Sequence, residues 1–448
     1  MKPGIPFGVV PALPDARHLK AAVKPVVRAG AGSAGLALLG VYAYGTAKYR
    51  RLARTSYDLV DTPAPDTDEF TRLLAALSGA GVTTGNRVKV LHNGGRTFPA
   101  MLQAIASASS TVDLSSYIYW PGDVADAFTD ALVDRARAGV EVNVVLDGWG
   151  SAKAKANRTT VQRLEEAGVR LAFFRVPHWH NMHKLNNRMH RRLLIVDGRI
   201  AFAGGVGIAD VWSGDAEDPE HWRETHLSVE GPAVLDLYGA FLENWAEATK
   251  SIPGPTHHPK VAAFDDGIEL QVLRSSPKAG GTLALHLFNA LISGAQERVW
   301  LTTAFLAPGK AFVDRLVAAA HRGVDVRLLT NGPHIDKEVV RQVGQRCYGP
   351  LLEAGVRIFE YQPTMIHAKV TIADGWANVG SSNLDHRSLG LDDELNVATR
   401  DPQLVSELAG QFLDDLAASK EFDLDRWRRR SLAKRATESS LDLLRQSL

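Results

Sequence analysis

Apolar and polar positions alternate along this chain in blocks that predict a helix followed by a strand. In "ALVDRARAGVEVNVVLDG", residues 131–148, helically spaced apolar positions end at a glycine and a β-branched run follows. The segment "LEEAGVRLAFFR", residues 164–175, has the same arrangement. Helices that alternate with strands are typical of layered α/β folds. The chain is therefore expected to be an α/β protein.

The same blocks occur again, in the same order, about 180 residues later in the chain. The corresponding pairs are 119–123 with 306–310, 131–148 with 315–332, and 164–175 with 351–362. Agreement in sequence and order predicts a duplicated domain. The expected organisation is a leader over residues 1–60, a first domain over 61–250, a proline-rich linker over 251–260, and a second domain over 261–448.

Two segments suggest contact with a membrane. Residues 29–47 are 19 uncharged residues, close to the length of a bilayer span of about 20 residues. Their glycine and alanine content is equally typical of a loop or a signal-peptide core, and basic residues on both sides give no orientation. The basic segment 426–448 is expected to be a solvated closing helix, with contact to anionic headgroups as the alternative.

Composition narrows the possible functions. The chain has 51 basic and 50 acidic residues, and this near-neutral balance does not favour binding to polynucleotides. Cys347 is the single cysteine, which excludes an internal disulfide and a cysteine-based metal cluster. Any basic site must therefore be local.

A short motif is the strongest chemical signal, and it occurs twice, as "RMHRRLLIVDG" and "MIHAKVTIADG". Each copy has a histidine, a cation two positions later and an aspartate: His190, Arg192 and Asp197, then His367, Lys369 and Asp374. On a strand, positions i and i+2 share a face, so each histidine is expected beside its cation. Each aspartate precedes a glycine in a hairpin-turn signal, which favours a structural or cation-anchoring role over proton transfer.

Two histidines that face each other across a domain interface, each beside a fixed cation, are suited to cleaving a phosphodiester. One imidazole attacks phosphorus, the other donates a proton to the leaving alcohol, and the cations hold the phosphoryl oxygens. This chemistry requires no metal and no other cofactor.

Residues 367–383, "HAKVTIADGWANVGSSN", resemble the HxKxxxxD…GSxN signature of the phospholipase D superfamily, whose members carry it twice. The similarity extends over about residues 85–430 and is greatest to the bacterial cardiolipin synthase branch. The resemblance implies two tandem α/β/α sandwich domains related by pseudo-twofold symmetry. It also implies one active site between them and a phosphohistidine intermediate.

The resemblance also suggests which residues form the site. The implied catalytic set is His190, Arg192, Asp197, His367, Lys369 and Asp374, and the implied substrate-binding set is Ser381, Asn383, Glu224 and Glu394. Glu394 matches a family acid that hydrogen-bonds the motif histidine, and Glu224 has the equivalent place in the first copy. By family habit His190 is the nucleophile and His367 the acid, although the reverse assignment stays open.

The first copy departs from the signature at two places. Arg192 replaces the lysine, and "GGVG" replaces GSxN, so that Gly205 and Gly207 take the serine and asparagine positions. Arginine keeps the charge and adds a planar fork that can grip two phosphate oxygens. Because His190 and Glu224 are retained, an active variant is favoured over a degenerate, non-catalytic copy.

Other aromatic and histidine residues have less specific interpretations. Trp120, Trp149 and Trp212 follow predicted strand ends or turns, where core packing is the default and an acyl-chain entrance is the alternative. The histidines of "HWHNMH", residues 178–183, are expected in a loop at the rim of the site rather than at a metal.

The favoured function is a cardiolipin synthase-like phosphatidyltransferase that acts on phospholipids, with phosphatidylglycerol as the expected substrate. The expected partners are this lipid and a membrane surface, with no nucleic acid, at the bacterial cytoplasmic membrane; the oligomeric state is left open. A phospholipase D hydrolase that releases phosphatidic acid is the main alternative. A nuclease and a non-catalytic lipid-binding protein are the others.

Overall fold

A computed structural model describes residues 59–176, 187–254, 261–277 and 282–430. The predicted membrane segment at 29–47, the histidine-rich loop at 178–183, linker residues 255–260 and the C-terminal residues 431–448 lie outside the described residues. Among the described residues, no helix has both the length and the apolar character needed to cross a bilayer.

The first half of the protein, before the linker, alternates helices and strands as its sequence predicts. Its elements are α1 (Asp68–Ser78), β1 (Val82–His92), α2 (Asn93–Ala106), β2 (Thr111–Ser116), α3 (Asp123–Arg137), β3 (Glu141–Asp147), α4 (Ala152–Ala156), α5 (Arg158–Glu166), β4 (Arg170–Phe174), β5 (Leu193–Val196), β6 (Ile200–Gly204), β7 (Thr225–Glu230) and α6 (Ala233–Thr249). A short 3-10 helix (Asp210–Trp212) lies between β6 and β7.

The second half repeats this alternation after the linker. Its elements are β8 (Ile268–Ser275), α7 (Leu283–Gly294), β9 (Arg298–Thr302), β10 (Leu306–Ala307), α8 (Lys310–His321), β11 (Asp325–Asn331), α9 (Glu338–Gly344), α10 (Tyr348–Glu353), β12 (Arg357–Tyr361), β13 (Val370–Ala373), β14 (Trp376–Gly380), β15 (Leu384–Asp385), β16 (Glu394–Thr399), α11 (Pro402–Ala417), β17 (Ser419–Phe422) and α12 (Leu424–Arg428).

One mixed sheet of 15 strands runs through both halves. Its central neighbours are β1 and β8, which pair antiparallel. Outward from β1 the order is β7, β6, β5, β2, β3 and β4, and outward from β8 it is β16, β14, β13, β9, β11, β12 and β17. The α/β prediction is confirmed, and the two related segments share a sheet rather than forming two separate ones.

The aspartate-glycine turns of the motif form the hairpins that their sequence predicts. Asp197 has φ +51° in the turn between β5 and β6, and Asp374 has φ +48° in the turn between β13 and β14. Both strand pairs are antiparallel. The left-handed backbone at these positions is one that aspartate tolerates better than most residues.

The apolar core has a central part that both halves share. Phe241 and Trp245 of α6 lie in the same buried cluster as Leu408 and Phe412 of α11, and Trp300 of β9 stacks on Phe412 with ring centroids 5.2 Å apart. Each half also has a buried cluster of its own. The shared cluster packs residues of both halves against one another and so joins the halves into one unit.

Helix α1 belongs to the first half of the chain but packs on the second. Phe70 and Leu74 of this helix are buried in the cluster of the second half, where Phe70 meets Trp376 edge-on at 5.6 Å. The helix lies within the first domain expected over residues 61–250, yet it packs on the second half. Local apolar spacing cannot reveal which half a helix will contact.

Arg191 provides a polar connection between the halves in the same interior. Its fully buried guanidinium donates to the backbone carbonyls of Ala240 at 2.7 Å, Ser275 at 3.3 Å and Glu394 at 3.2 Å. The group also pairs with Glu243 at 2.7 Å. Buried carbonyls need donors, so this side chain satisfies backbone groups that belong to both halves.

Replacing Arg191 should therefore destabilise the whole protein. We expect Arg191→Ala to lower the free energy of unfolding by about 3 kcal/mol or more, because several buried carbonyls lose their donor together. Denaturant unfolding of the two proteins measures this difference. The matched control is Arg72→Ala, which removes a largely exposed arginine paired with Glu69 and should leave the stability nearly unchanged. Equal stability of both variants would contradict the connecting role.

Candidate active site

A cavity of about 490 Å³ lies between the two halves, and both motif histidines line it. From the first half its walls include Tyr117, Trp120, Trp149, Lys153, His190, Arg192, Trp212 and Trp222, and from the second half Phe305, Asp336, Lys337, His367, Asn383, Asp385, Arg387 and Asp392. The expectation that the histidines meet at the interface of the two copies therefore agrees with the structure.

The segment that carries His190 is held by both halves. The Met189 N–H donates to the Asp147 carboxylate at 2.9 Å, and Asp147 ends β3 of the same half. Met189 also forms an isolated parallel bridge with Asp393 of the second half, whose carbonyl accepts from the His190 N–H at 2.9 Å. The histidine is thus fixed just before β5 begins.

The segment that carries His367 is held in the corresponding way. The Ile366 N–H donates to the Asn331 side chain at 2.7 Å, and Asn331 ends β11 of the same half. Ile366 bridges to Arg223 of the first half, whose carbonyl accepts from the His367 N–H at 2.7 Å. Both histidines are therefore presented by short backbone pairings that cross the interface.

The carboxylate partners of the histidines are exchanged between the halves. His190 Nδ1 lies 2.8 and 3.0 Å from the two carboxylate oxygens of Glu394, and His367 Nδ1 lies 2.5 Å from Glu224 Oε2. Both glutamates are fully buried. Neither half alone contains a complete histidine–carboxylate pair, so the site exists only when the halves are assembled.

Each motif cation lies against its own histidine. Arg192 Nη2 is 3.1 Å from His190 Nε2, and its Nη1 donates to the His190 carbonyl at 2.5 Å. Lys369 Nζ is 2.8 Å from His367 Nδ1, donates to the His367 carbonyl and lies 3.9 Å from Glu224 Oε2. Two positive groups are thus held beside the two imidazoles.

Burial determines the charge of the two histidines, the two glutamates and Lys369. Burial, reinforced by Arg192 for His190 and by Lys369 for His367, holds the pKa of both imidazoles well below the usual value. Burial also raises the pKa of Glu224 and of Glu394 to about 7 and lowers that of Lys369 to about 7. Near neutral pH both imidazoles are therefore uncharged, and protons are shared among the groups around them.

The glycines of the first copy leave room for other side chains of the site. A Cβ at Gly205 would overlap the Glu224 carboxylate, and a Cβ at Gly207 would lie 2.8 Å from the Trp212 ring. At the position equivalent to Gly205, the Ser381 hydroxyl donates to Glu394 Oε2. Gly205 and Gly207 of the first copy therefore leave space that the Glu224 carboxylate and the Trp212 ring occupy.

Aromatic rings surround the two histidines unequally. Trp212 and Trp222 have ring centroids 5.2 and 5.4 Å from that of His367, whereas Tyr117 lies 5.0 Å from His190. Trp212 is almost fully buried and fills the space that a side chain at position 207 would need. Among the described residues, aromatic side chains therefore enclose the His367 imidazole more than the His190 imidazole.

Residues 101–245 and 288–416 match the family model described as cardiolipin synthase, PLD-like domain. The chain is similar to a cardiolipin synthase from Geobacillus sp. (strain WCH70), at 32% identity over 369 residues that span 81% of this chain and 72% of that protein. It is also similar to a probable cardiolipin synthase of Bacillus subtilis (strain 168), at 31% identity over 409 residues, or 88% and 79% of the two chains. The chain belongs to the cardiolipin synthase branch of the phospholipase D superfamily. It is thus an enzyme of the phospholipase D type, as its sequence predicted.

Solved structures agree with this family at the level of the fold. The phosphatidylserine synthase of Haemophilus influenzae Rd KW20 superposes with a TM-score of 0.63 at 12% identity, covering 84% of this chain and all of that one. At such low identity the likeness concerns the fold alone.

The structure separates the phospholipase D motif residues into groups. His190, Arg192, His367 and Asn383 line the cavity, and Lys369 lies directly beside His367. The acids Glu224 and Glu394, expected among the substrate-binding residues, lie behind the histidines instead, and neither lines the cavity. Ser381 was also expected at the phosphate pocket, but its hydroxyl is directed to Glu394.

The motif aspartates lie away from the cavity, at the far ends of the strands that follow the histidines. Asp197 accepts hydrogen bonds from the N–H groups of Ser109, Ser110 and Thr111, before β2. Partial burial acts to raise its pKa, but these bonds outweigh it and lower the pKa to about 2. Asp374 accepts in the same way from residues 296–298, before β9. This position separates both aspartates from the chemistry and fits the expected anchoring role rather than the catalytic set.

The three singled-out tryptophans all line the cavity. Trp212 is buried, whereas Trp149 is 57% exposed and stacks under the Arg188 guanidinium at 4.9 Å. The Trp120 indole donates to the Gly150 carbonyl at 3.0 Å. Trp212 belongs to the buried core of the first half and Trp120 packs against that core, whereas the aromatic wall of the cavity extends to the surface at Trp149.

Several residues of the cavity were not singled out from the sequence. Asp385, Arg387 and Asp392 lie in the segment after GSxN, and Asp336 and Lys337 follow β11. The available signal was the density of ionisable residues in "LDHRSLGLDD", which is unusual for a segment bounded by apolar strands.

Metal-ligating side chains also occur outside the cavity. Glu217, Asp218 and His221 offer ligand atoms within 4.8 Å of one another, in the loop before β7. None of the three lines the cavity, so no step of the chemistry is assigned to them.

The glycine at position 205 provides a test of how the acid is held. We expect Gly205→Ser, which restores the serine of the family signature, to lower the turnover of phospholipid by about 100-fold because it displaces Glu224 from His367. Steady-state kinetics measure the effect, and thermal unfolding shows whether the variant folds. Gly309→Ser is the control, since a Cβ there meets no atom within 4 Å. A folded Gly205→Ser enzyme with full activity would contradict the proposed need for this space.

Proposed function

We propose that this enzyme transfers a phosphatidyl group from one phospholipid to the hydroxyl of another alcohol through a phosphohistidine. The observation that carries the proposal is the exchanged pair of buried histidine–carboxylate contacts, which joins two imidazoles and two cations in one cavity. The two halves act as one site related by approximate twofold symmetry, each an α/β/α layer on the shared sheet. No metal is required for the steps that follow.

In the first step, Nε2 of His190 attacks phosphorus. The P–N bond forms, the bond from phosphorus to the leaving alcohol oxygen breaks, and that oxygen takes a proton from Nε2 of His367. Glu224, whose pKa is raised to about 7 by burial, can replace that proton through Nδ1 of His367. Arg192 and Lys369 stabilise the charge that develops on the phosphoryl oxygens.

One asymmetry supports His190 as the nucleophile. Ser381 donates a hydrogen bond to Glu394, which favours the ionised carboxylate and opposes the effect of burial on its pKa. An ionised Glu394 accepts from Nδ1–H of His190 and leaves the lone pair on Nε2. Gly205 gives Glu224 no hydroxyl donor, and the Thr225 N–H donates to its Oε1 at 2.9 Å, whereas Glu394 accepts from the side chains of Ser381 and Ser388. Fewer donors therefore oppose protonation of Glu224, which fits the acid role beside His367.

In the second step, the acceptor alcohol takes the place of the departed one. Its oxygen attacks phosphorus, its proton passes to Nε2 of His367, the P–N bond breaks, and the electron pair returns to the His190 nitrogen. As His367, now the base, takes this proton at Nε2, its Nδ1 proton returns to Glu224, so both groups end the cycle in the form in which they began.

The relatives named cardiolipin synthases suggest the substrates. We infer that phosphatidylglycerol is both donor and acceptor, so that the products are cardiolipin and glycerol. The aromatic wall formed by Trp120, Trp149, Trp212 and Trp222 suits the apolar part of a lipid. A lipid substrate also requires that the protein works at a membrane surface, and the cytoplasmic membrane is the proposed site.

The function can be tested with the purified protein and phosphatidylglycerol in mixed micelles. We expect cardiolipin and glycerol, with little phosphatidic acid, because an alcohol rather than water is the acceptor. His190→Ala and His367→Ala should each lower product formation by at least about 1,000-fold, since each removes a group that forms or breaks a bond. Lipid mass spectrometry measures all products.

The control for these variants is His321→Ala, which alters an exposed histidine in the last turn of α8 and should keep full activity. Phosphatidic acid as the main product would indicate a hydrolase instead. Turnover that survives the loss of either cavity histidine would contradict the two-histidine mechanism.

The dependence of activity on pH tests the role of Lys369. Burial lowers its pKa to about 7, so it is a cation below that pH and neutral above it. If the cation is needed, kcat/KM should fall as the pH rises through about 7 in the wild-type enzyme. Lys369→Arg keeps the charge at high pH because a guanidinium does not lose its proton. We therefore expect this variant to extend activity to higher pH, relative to its own maximum.

The pH profile of the wild type is the reference for this comparison. The acidic side reflects ionisation of Glu394, whose pKa burial raises to about 7, and should be alike in the two proteins. Glu224, whose pKa burial also raises to about 7, loses its proton on the alkaline side in both proteins, so the difference between the two profiles reports the lysine. An alkaline side that stays unchanged in Lys369→Arg would contradict the role given to the lysine.

A further inference from the structure

We propose that Asn383 and Asp385 form a subsite for the hydroxyl groups of a polyhydroxyl acceptor, on the wall of the cavity that the second half supplies. The inference rests on the proposed transferase function and names the chemical class of its acceptor. The ligand is an alcohol with at least two neighbouring hydroxyls, of the kind that a glycerol headgroup presents.

Asn383 supplies the first observation. Its side chain lines the cavity and is only 2% exposed, yet its Oδ1 has no hydrogen-bond donor within the part of the chain that the structure describes. A buried acceptor without a partner is costly and uncommon, and each case calls for an explanation. A ligand that donates a hydrogen bond satisfies this atom, and an alcohol hydroxyl is such a donor.

Asp385 supplies the second observation, two residues further along the chain. Its carboxylate also lines the cavity, and Oδ1 accepts from the Ser388 N–H at 2.8 Å. The other oxygen has no protein donor in the described ranges. The backbone is fixed here by the parallel pairing of β15 with β10, in which Asp385 is opposite Ala307. A second acceptor is therefore held rigidly beside Asn383.

Two other charged residues on this wall, Arg387 and Asp392, are paired with each other. Arg387 Nη2 lies 3.1 Å from Asp392 Oδ1, and the same oxygen accepts from the Arg188 N–H at 3.0 Å. Asp385 thus keeps one oxygen available for a ligand, close in sequence to the unpaired Oδ1 of Asn383. Burial raises its pKa to about 7, and the group accepts a hydrogen bond from a hydroxyl in either protonation state.

The opposite wall has no such acceptors at the equivalent positions. The positions equivalent to Asn383 and Asp385 are Gly207 and Ala209, and the ring of Trp212 fills the space beside Gly207. The duplication therefore places hydroxyl-binding groups on one side of the histidines and an indole on the other. This asymmetry distinguishes the site of the alcohol from the rest of the cavity.

The subsite acts in the second step of the reaction. One hydroxyl oxygen of the acceptor attacks phosphorus and gives its proton to the base histidine, as the P–N bond breaks. A neighbouring hydroxyl keeps its proton and donates it in a hydrogen bond to Asp385 or Asn383. A monohydric alcohol leaves these acceptors unpaired, so it should be a poorer acceptor than glycerol.

A competition between two alcohols tests this directly. Phosphatidylglycerol in mixed micelles is the donor, and deuterium-labelled glycerol and propan-1-ol are added at equal concentration. Mass spectrometry then gives the ratio of labelled phosphatidylglycerol to phosphatidylpropanol. We expect wild type to favour glycerol, and Asp385→Asn to lower the ratio by about 10-fold, since an amide nitrogen replaces the accepting oxygen.

Two further variants complete the experiment. Asn383→Leu has a similar volume and no polar atoms, and it should also lower the ratio. Asp336→Asn removes a carboxylate from another part of the same cavity and should leave the ratio unchanged. Asp385→Asn keeps the acceptor for the Ser388 N–H, and thermal unfolding verifies that it folds.

The outcomes separate the subsite from the function on which it rests. Equal transfer to both alcohols by the wild type would overturn the subsite, whether or not the variants fold. An equal fall of the ratio in Asp336→Asn would also overturn it, because the effect would then be one of net charge. Absence of cardiolipin and of both alcohol products would overturn the proposed function together with the subsite.

Discussion

The exchange of carboxylates between the halves is the interaction on which the rest of the structure depends. Glu394 of the second half bonds His190, and Glu224 of the first half bonds His367. Both acids are fully buried, and an unpartnered carboxylate in such a position is strongly disfavoured. Assembly of the halves, the continuous sheet and the backbone bridges at Met189 and Ile366 all keep these two pairs intact.

The halves are similar in backbone but unequal in chemistry, and the differences compensate one another. Where the second half has Ser381 to donate to its acid, the first has Gly205, which makes room for the acid itself. Arg192 takes the place of lysine and contacts Nε2 of its histidine, whereas Lys369 contacts Nδ1. A longer, forked cation thus occupies the side of the site where, among the described residues, Tyr117 rather than an indole contacts the imidazole.

Local patterns were enough to predict much of this fold and part of the site. The α/β alternation, the duplication and the hairpin turns at Asp197 and Asp374 depend on neighbours in sequence, and all are present. The packing of α1 on the second half and the exchange of the two acids depend on long-range contacts, which spacing does not encode. Asp385 was missed for the same reason, since only the folded chain shows that it reaches the cavity.

Burial sets the charge of the two histidines, Lys369 and the two paired glutamates before substrate binds, and this charge bears on the proposed reaction. Burial favours the neutral forms of both histidines, of Lys369 and of the paired glutamates, so these groups can lie together in a medium of low dielectric constant. A phosphodiester carries a negative charge, and a negative charge beside Lys369 and His367 favours their protonated forms. Burial therefore favours the neutral forms of Lys369 and His367 before substrate binds. The negative phosphodiester that the enzyme is proposed to cleave then favours their protonated, cationic forms.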